Sequence, residues 1–353
     1  MVAMERRHVG DTDLEVSAFS LGTMTFGVET DEPEAHRQLD HFAAAGGTLV
    51  DTADVYGAGA SEEIVGRWLA GDRDRDRDDI VLATKGRFPA GNDPAASGAG
   101  REHLTNALAA SLRRLGVHGV DIYFVHGWDS AVPVLETLET LDGFVSDGLA
   151  LHVGWSNVTG WQLQRILRVA EANGLTAPIT LQPQYNLLDR GIEWELLPQC
   201  LEERLGVMPW SPLGGGWLTG KYRRDDRPSG ATRLGEDPDR GVEAYDLRNT
   251  ERTWEILDAV DAVAQQTRAT PAAVALAWLR DRPGVASVIL GARTVAQLEG
   301  NLDAAALVLD ESSTALLTQV SAPGIPPYPY GFVQDHCDVS HWARLGTAAP
   351  APG

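Results

Sequence analysis

The sequence predicts an α/β protein in which eight parallel strands and their helices close into one (β/α)8 barrel. Short apolar runs recur through the chain, each too short for a helix and typical of a strand buried on both faces. Stretches of helical character separate these runs, as crossovers between parallel strands require. The chain has 353 residues, more than the roughly 250 that such a barrel needs, so long loops are also expected.

The predicted elements follow from where each pattern starts and stops. The first helix is expected to begin at Asp31, ahead of Pro33, and to end at Gly46; a later helix begins at Thr270 with Pro271 in its first turn. The predicted strands are residues 18–21, 48–50, 80–83, 120–125, 151–154, 179–181, 207–208 and 288–290. The other predicted helices are residues 61–70, 102–115, 134–147, 160–173, 192–205, 253–266 and 295–306.

We expect residues 1–353 to form a single domain with two additions to the barrel. A loop over residues 211–250 is rich in glycine and charge, and a tail over residues 321–353 contains several prolines and aromatics. Loops of this length in a compact domain are usually functional or disordered. An open doubly wound sheet is the main rival to the barrel, and the lack of a G-x-G-x-x-G motif after the first strand weakens it.

The charge balance argues against some classes of partner. The chain has 50 acidic and 29 basic residues, a net charge of −21, which argues against nucleic acid and against anionic membranes. A small anionic ligand stays possible, because a few local bases and helix N-termini can hold a phosphate. No apolar run is long enough to span a membrane, and two cysteines outside any motif suit a reducing compartment. We therefore expect a soluble cytoplasmic protein without a metal site.

Ionisable side chains follow three successive predicted strands. Asp51 and Tyr56 come after the second strand, Lys85 after the third and His126 after the fourth. In a barrel the active site lies at the carboxyl ends of the strands, so these side chains are expected to meet. Any one of them alone would be read as a structural ion pair or a polar core residue. Four together favour a catalytic group.

This set predicts an acid site built on tyrosine. A free phenol titrates near 10 and is a poor proton donor at neutral pH. A neighbouring ammonium lowers the pKa of a phenol, so Lys85 is expected to assist Tyr56. Asp51 would keep that ammonium charged, and His126 would hydrogen-bond the substrate oxygen or relay protons.

The later strand ends carry groups suited to a phosphorylated ligand with a polar ring. Amides and hydroxyls at Ser156, Asn157 and Gln182 fit the edge of a planar ring. Trp210 offers a stacking face ahead of a glycine-rich stretch, residues 211–216, whose backbone can approach an anion beside Lys221. The last strand leads to a helix N-terminus with three polar side chains, Arg293, Gln297 and Asn301.

Several sequence blocks, taken in order, resemble those of the aldo-keto reductase family. They are LGTMTFG (21–27), DTADVYG (51–57), ATK ending at Lys85, VH ending at His126 and GWSN (154–157). The resemblance runs from about Arg6 to Leu307. It implies a (β/α)8 barrel that binds NADPH across its mouth, with the loop over residues 211–250 covering the cofactor. It also implies reduction of aldehydes or ketones, with relatives among bacterial reductases of keto-sugars and small aldehydes.

The resemblance also implies a role for each matching residue. Tyr56 would be the general acid, tuned by Lys85 and Asp51, and His126 would orient the carbonyl. Arg293 would pair the 2′-phosphate and favour NADPH over NADH. Many family members have Glu where this chain has Gly300, so one adenine contact is in doubt. The implied cofactor residues are Gly22, Thr23, Met24, Asp51, Ser156, Asn157, Gln182, Trp210, Ser211, Pro212, Leu213, Gly214, Gly216, Lys221, Gly291, Arg293, Gln297 and Asn301.

Aromatic residues near these blocks are candidates for the substrate pocket, namely Phe26, Phe88, Trp128 and Trp217. We expect the partner to be a small carbonyl compound; the sequence marks no oligomer interface. Two alternatives to a carbonyl reductase stay open. One is a regulatory or NADP(H)-sensing module on the same fold, as in the potassium-channel β subunits that resemble reductases. The other is a phosphate-binding barrel enzyme such as a lyase or isomerase.

Overall fold

A computed structural model describes residues 4–71, 79–89, 96–224, 226–230, 232–239 and 241–337. The chain starts with an antiparallel hairpin and continues with eight strands of one parallel sheet. The hairpin consists of β1 (Arg6–His8) and β2 (Glu15–Ser17). The sheet contains β3 (Phe19–Gly22), β4 (Leu49–Asp51), β5 (Val81–Gly86), β6 (Val120–Val125), β7 (Ala150–Ser156), β8 (Thr180–Gln182), β9 (Gly206–Val207) and β10 (Val288–Leu290).

The sheet closes on itself into a (β/α)8 barrel. Each strand from β3 to β9 pairs in parallel with the next, and β10 returns to pair with β3. Hydrogen bonds also join the β9 region to β10: Val207 N–H donates to Gly284 O at 2.9 Å, and Ile289 N–H donates to Pro209 O at 3.0 Å. The predicted fold class is therefore confirmed, and each of the eight predicted strands has a counterpart.

Helices cover the outside of the barrel. The N-cap predictions at Asp31 and Thr270 are confirmed, because their side chains accept hydrogen bonds from the backbone N–H groups of Glu34 and Ala273. The helices are α1 (Glu32–Ala44), α2 (Ala60–Gly71), α3 (Arg101–Leu115), α4 (Val134–Ser146), α5 (Gly160–Asn173), α6 (Leu196–Glu202), α7 (Arg233–Glu236), α8 (Tyr245–Arg248), α9 (Glu251–Thr267), α10 (Pro271–Arg280), α11 (Val295–Leu302), α12 (Glu311–Val320) and α13 (Phe332–His336).

Two predicted helices are wrong in extent. The α-helix expected over residues 295–306 ends at Leu302 and is followed by a 3-10 turn at Asp303–Ala305. Residues 192–205 were expected to be helical throughout, but a 3-10 turn at Gly191–Trp194 precedes a shorter α6. Pro198 explains the break, because a proline has no N–H and its ring clashes with the carbonyl four residues earlier. In α6 this proline lies in the first turn, where the missing N–H has no helical partner to lose.

The hairpin, which was not predicted, packs against one end of the barrel. Its residues Val9 and Val16 are fully buried and pack in one cluster with barrel-interior residues such as Leu49 and Ile122. The hairpin therefore closes the end of the barrel at which the strands begin. The opposite end, where the strands finish, stays open for a site. No helix in the described ranges has the length and apolar character needed to cross a membrane.

Candidate active site

A cavity of about 700 Å³ lies at the carboxyl ends of the strands. Its walls come from the ends of β3, β4, β6, β7, β8 and β10 and from the loop after β9. The structure therefore brings most of the sequence-predicted residues together. Those that line the cavity are Gly22, Met24, Asp51, Tyr56, His126, Ser156, Asn157, Gln182, Trp210, Ser211, Pro212, Leu213, Gly216, Lys221, Gly291, Arg293, Gln297 and Asn301.

Lys85 is fully buried at the base of this cavity, where it contacts both Asp51 and Tyr56. Its ammonium donates to Asp51 Oδ2 at 2.6 Å, to the backbone oxygen of Thr52 at 2.7 Å and to the Tyr56 hydroxyl at 3.3 Å. All three ammonium protons thus have acceptors, which is what a cation buried at the end of a strand requires.

The second oxygen of Asp51 is also satisfied. Gln182 Nε2 donates to Asp51 Oδ1 at 2.8 Å, from the far side of the cavity. Gln182 was predicted from its amide to face a planar ring. In the structure it lines the cavity and also fixes the carboxylate that holds Lys85. This contact between β4 and β8 has no signal in the local sequence.

The electrostatics of the Tyr56–Lys85 pair differ from the prediction in one respect. Burial raises the pKa of Tyr56, and the charge of Lys85 offsets this only in part, so the pKa stays above its ordinary value. The expected net lowering of the phenol pKa is therefore wrong. Burial, the largest single influence, would lower the pKa of Lys85, but the charges of Asp51 and Tyr56 and the hydrogen bonds to both together raise it. At neutral pH the phenol keeps its proton and the lysine keeps its charge.

His126 lies beside Tyr56 and is neutral at physiological pH. Burial, followed by the charges of Lys85 and Arg87, holds its pKa well below the ordinary range. The rings of His126 and Tyr56 meet edge to face with centroids 6.0 Å apart. Phe88 also packs against the imidazole, with centroids 4.9 Å apart. His126 Nδ1 is buried and has no hydrogen-bond partner among the described residues.

Ser156 and Asn157 link the ends of three neighbouring strands. Ser156 Oγ donates to Gln182 O at 2.7 Å, and Asn157 Nδ2 donates to His126 O at 2.9 Å and to Ser156 Oγ at 2.9 Å. Asn157 has φ = 52°, a left-handed conformation that asparagine tolerates better than most residues. Next to them, Trp210 Nε1 is buried and has no partner within the described chain.

The glycine-rich stretch after β9 forms a tight turn along the cavity wall. Gly215 and Gly216 have φ of 64° and 95°, which favour glycine. A Cβ on Gly216 would lie 2.5 Å from Lys221 Nζ, so the missing side chain lets the ammonium pack against the turn. Desolvation, together with the charges of Arg293 and Arg233, lowers the pKa of Lys221. Three basic side chains, Lys221, Arg233 and Arg293, therefore lie near one another beside the turn.

A carboxylate that sequence reasoning missed occupies this part of the cavity. Glu243 is almost fully buried, and its carboxylate accepts a short hydrogen bond from the Ser211 hydroxyl. Arg233 Nε lies 3.2 Å from Glu243 Oε2. The loop over 211–250 thus folds back over the glycine-rich turn and places a negative charge where an anion was predicted. A lone acid in a loop of mixed charge carries no local signal of this role.

At the other end of the cavity, Arg293 is paired with two acidic residues. Its Nε donates to Glu29 Oε2 at 2.9 Å and its Nη2 donates to Glu236 Oε2 at 2.8 Å. The backbone N–H of Arg293 donates to Gln297 Oε1 at 2.9 Å, and Asn301 Nδ2 donates to Gly291 O at 3.3 Å. Neither Glu29 nor Glu236 was singled out from the sequence.

Some predicted site residues lie elsewhere. Phe26 and Trp217 were expected in the substrate pocket, but both are fully buried in the hydrophobic core because burial stabilises such large apolar rings. Trp217 stacks on Tyr245 and donates from Nε1 to Glu243 O at 3.1 Å, so it anchors the segment that carries Glu243. Thr23 and Gly214 are buried behind the cavity wall.

The two remaining pocket aromatics lie beside the cavity rather than on its lining. Phe88 contacts His126 as described above, and Trp128 meets Trp161 edge to face with centroids 5.4 Å apart. Arg87 joins these two loops, because its guanidinium donates to Trp128 O at 3.0 Å. The aromatic pair therefore extends the His126 side of the site toward solvent, where more than half of Trp161 is exposed.

Asp54 lies between Asp51 and Tyr56 in the sequence and was not among the predicted site residues. It is fully buried, and burial together with the neighbouring charge of Glu62 raises its pKa to about 7. Glu62 is itself held by Arg114 at 2.6 Å and by Thr84 at 2.5 Å. A titratable carboxyl thus lies directly behind the Tyr56 segment.

The described part of the tail packs beside the site. Tyr330 stacks on Trp194 with centroids 5.6 Å apart and donates to Glu195 Oε1 at 2.8 Å. A second cavity, of about 650 Å³, lies between Tyr330 and the residues Asn157 and Trp210, which it shares with the first. Residues 338–353 of the predicted tail lie outside the described residues.

This chain is similar to one protein family and to several individual proteins. Residues 18–322 match the model of the Aldo/keto reductase family. The chain is 34% identical over 326 residues to an uncharacterized oxidoreductase, YrpG, of Bacillus subtilis, covering 90% of this chain and 96% of the relative. It is 31% identical to the protein tas of Escherichia coli, covering 92% and 100%. It is also 34% identical to a probable voltage-gated potassium channel subunit beta of Oryza sativa, covering 85% and 91%.

Proposed function

This chain belongs to the aldo/keto reductase family, and from that premise we propose that it reduces an aldehyde or ketone to an alcohol with NADPH as hydride donor and Tyr56 as proton donor. Oxidoreductase activity on carbonyl groups is the activity of the family, and its members generally use NADH or NADPH. The observation that carries the finer proposal is the buried Asp51–Lys85–Tyr56 group at the base of the cavity, beside His126.

The cavity suits a dinucleotide. At one end lie Trp210 Nε1 and His126 Nδ1, which have no hydrogen-bond partner among the described residues, and three basic side chains, Lys221, Arg233 and Arg293, lie along the glycine-rich turn. The bound cofactor would supply the hydride, while the protein supplies placement and a proton. The residues proposed to hold the nicotinamide end are Ser156, Asn157, Gln182 and Trp210; those for the pyrophosphate are residues 211–216 with Lys221; and those for the adenosine end are Arg293, Gln297 and Asn301.

Tyr56 is proposed to protonate the carbonyl oxygen as the carbonyl carbon becomes reduced. Its raised pKa means that the proton is present on the phenol before the reaction. When the proton leaves, the phenolate oxygen stays 3.3 Å from the Lys85 ammonium, whose charge stabilises it. Asp51 and Gln182 keep that ammonium in place. Tyr56 thus carries the proton before the reaction, and Lys85 stabilises the negative charge that forms on Tyr56 afterwards.

His126 is proposed to orient the carbonyl. A neutral imidazole can donate one hydrogen bond to the substrate oxygen without competing with Tyr56 as the stronger acid. The low pKa of His126 keeps the ring neutral, and Phe88 restricts its orientation. The aromatic surface around Phe88 and Trp128 favours a small substrate with an apolar part.

A panel of aldehydes and ketones tests this proposal. We expect NADPH to be oxidised in the presence of at least one member of the panel, and only when Tyr56 is intact. The absorbance of the reduced nicotinamide measures this oxidation. A second candidate, an NADP(H)-sensing binding module with little turnover, is favoured by the relatives named as potassium channel beta subunits. Tight NADPH binding without oxidation by any carbonyl would favour that module. Failure to bind NADPH would contradict both.

A further inference from the structure

The guanidinium of Arg293 is shared between two carboxylates. Glu29 Oε2 accepts from Nε at 2.9 Å, and Glu236 Oε2 accepts from Nη2 at 2.8 Å. Burial alone would lower the pKa of Arg293, but the hydrogen bonds to Glu236 and Glu29 raise it. Glu29 and Glu236 carry one negative charge each and Arg293 carries one positive charge, so the three side chains together have a net negative charge. A phosphate that binds Arg293 must therefore compete with two carboxylates that already accept hydrogen bonds from the guanidinium.

The two carboxylates differ in how firmly they are fixed. Glu29 follows β3 in a turn in which the N–H groups of Glu29 and Thr30 both donate to Thr25 O. The hydroxyls of Thr25 and Thr30 donate in turn to the backbone oxygens of Ala292 and Arg293, at 3.0 and 3.2 Å. The turn that carries Glu29 is thus tied to the same backbone that carries Arg293, and the two side chains line one wall of the cavity.

Glu236 reaches Arg293 from a different direction. It belongs to the short helix α7 in the long loop, about half of its side chain is exposed, and it does not line the cavity. Exposed ion pairs of this kind contribute little to stability. A bound nucleotide can therefore displace Glu236, whereas Glu29 stays beside Arg293.

We propose that Glu29 determines the coenzyme specificity of this site: by keeping a carboxylate against Arg293, it makes the site accept a nucleotide with a free 2′-hydroxyl about as well as one with a 2′-phosphate. This inference rests on the proposed function. A carboxylate accepts a hydrogen bond from a ribose hydroxyl but repels a phosphate dianion. Arg293 attracts the phosphate, so Glu29 and Arg293 have opposite effects on the affinity for NADPH.

The other charged groups of the cavity do not discriminate between the two nucleotides. Lys221, Arg233 and Glu243 surround the glycine-rich turn, which is the proposed pyrophosphate site. NADH and NADPH both carry the pyrophosphate, so these groups affect the two affinities alike. The ratio of the affinities therefore isolates the region of Glu29 and Arg293.

The test measures the dissociation constants of NADH and NADPH by nicotinamide fluorescence, without any turnover. The unmodified chain is expected to bind both, with constants within about fivefold of each other. Glu29→Gln is expected to raise the preference for NADPH about five- to tenfold, and Glu29→Ser is a second variant with the same expected direction. Glu32→Gln is the matched control: it removes the same charge from the same segment, but Glu32 pairs with Arg67 and does not line the cavity.

The outcomes separate this inference from the proposed function. A rise in the NADPH preference of both Glu29 variants, with no change in Glu32→Gln, supports the inference. An unchanged ratio in a Glu29 variant that still binds both nucleotides overturns the inference alone. An equal rise in Glu32→Gln overturns it as well, because the effect would then be one of general charge. If the unmodified chain binds neither nucleotide, the proposed function fails and this inference fails with it.

Discussion

The ammonium of Lys85 lies 3.3 Å from the hydroxyl oxygen of Tyr56, yet the pKa of the phenol stays above its ordinary value. Burial disfavours the phenolate more strongly than the neighbouring charge favours it. The arrangement therefore suits a proton donor better than a proton acceptor at neutral pH. It also makes the lysine and its partner Asp51 a buried pair whose members depend on each other.

Replacement of Lys85 by methionine is expected to damage both activity and stability. The phenolate loses its stabilising charge, so turnover should fall at least about a hundredfold. Asp51 is left buried without its cation, which typically costs about 3–5 kcal/mol of unfolding free energy. Activity assays and urea unfolding measure the two effects. In the double variant Asp51→Asn/Lys85→Met, part of the stability should return while activity stays low. Equal instability of the single and double variants would contradict the pairing.

Asp54 gives a prediction for the pH dependence of stability. Its pKa is raised from 3.8 to about 7, so the folded chain holds a proton that the unfolded chain releases between these values. The contribution of Asp54 to the unfolding free energy is therefore greatest in acid and falls as the pH rises to about 7. The stability of Asp54→Asn, relative to the unmodified chain, should increase by about 2–3 kcal/mol from pH 5 to pH 8.

Urea unfolding at the two pH values checks this expectation. Asp129→Asn is the control, because the Asp129 carboxyl accepts backbone hydrogen bonds and its pKa is lowered from 3.8. A group with a lowered pKa changes its contribution only in stronger acid, so the difference for Asp129→Asn should stay constant between pH 5 and pH 8. A constant difference for Asp54→Asn as well would show that Asp54 does not titrate in this range.

Glu243 is expected to compete with the nucleotide pyrophosphate. Its carboxylate accepts from the hydroxyl of Ser211, a residue of the proposed pyrophosphate site, and pairs with Arg233 beside that site. Glu243→Gln keeps the size of this side chain and one acceptor oxygen for Ser211, but it removes the charge and puts an NH2 group in place of the oxygen that pairs with Arg233. Affinities for NADPH and NADH should both increase, by about three- to tenfold. Fluorescence titration measures them. Weaker binding of both nucleotides would mean that Glu243 holds the loop in its binding form instead.

Arg293→Ala is expected to weaken the binding of NADPH about tenfold and that of NADH much less, because only NADPH carries a 2′-phosphate for the guanidinium to pair. The effect should be larger in the Glu29→Gln background, where Arg293 has fewer competing partners. Titration of the single and double variants with each nucleotide measures this coupling. Equal losses for the two nucleotides would place the 2′-phosphate elsewhere.

Much of the site was predictable because its residues follow buried strands directly. Apolar runs located the strands, and parallel strands bring their carboxyl ends to one face, so Asp51, Lys85 and His126 were expected to meet. The partners contributed by long-range packing were not predictable. Glu243 reaches Ser211 from a loop without periodicity, and Glu29 reaches Arg293 from the opposite end of the chain. Trp217 was misplaced because the same large ring suits a pocket wall and a core.

The net direction of the Tyr56 pKa was also beyond the sequence. A nearby lysine was inferred correctly, but its effect has to be weighed against burial, and burial depends on how the loops close over the strand ends. Despite the overall charge of −21, Lys221 and Arg293 were expected along one cavity from their positions after the last strands, whereas Arg233 beside them was not predicted.

The most direct test of the proposed mechanism compares Tyr56→Phe with the unmodified chain, using one carbonyl substrate for turnover and NADPH fluorescence for binding. Phenylalanine keeps the ring and removes only the hydroxyl that lies beside Lys85. If Tyr56 is the proton donor, turnover falls about 100- to 10,000-fold while the dissociation constant of NADPH changes less than about twofold. Turnover by Tyr56→Phe at the rate of the unmodified chain would contradict the role of Tyr56 as proton donor.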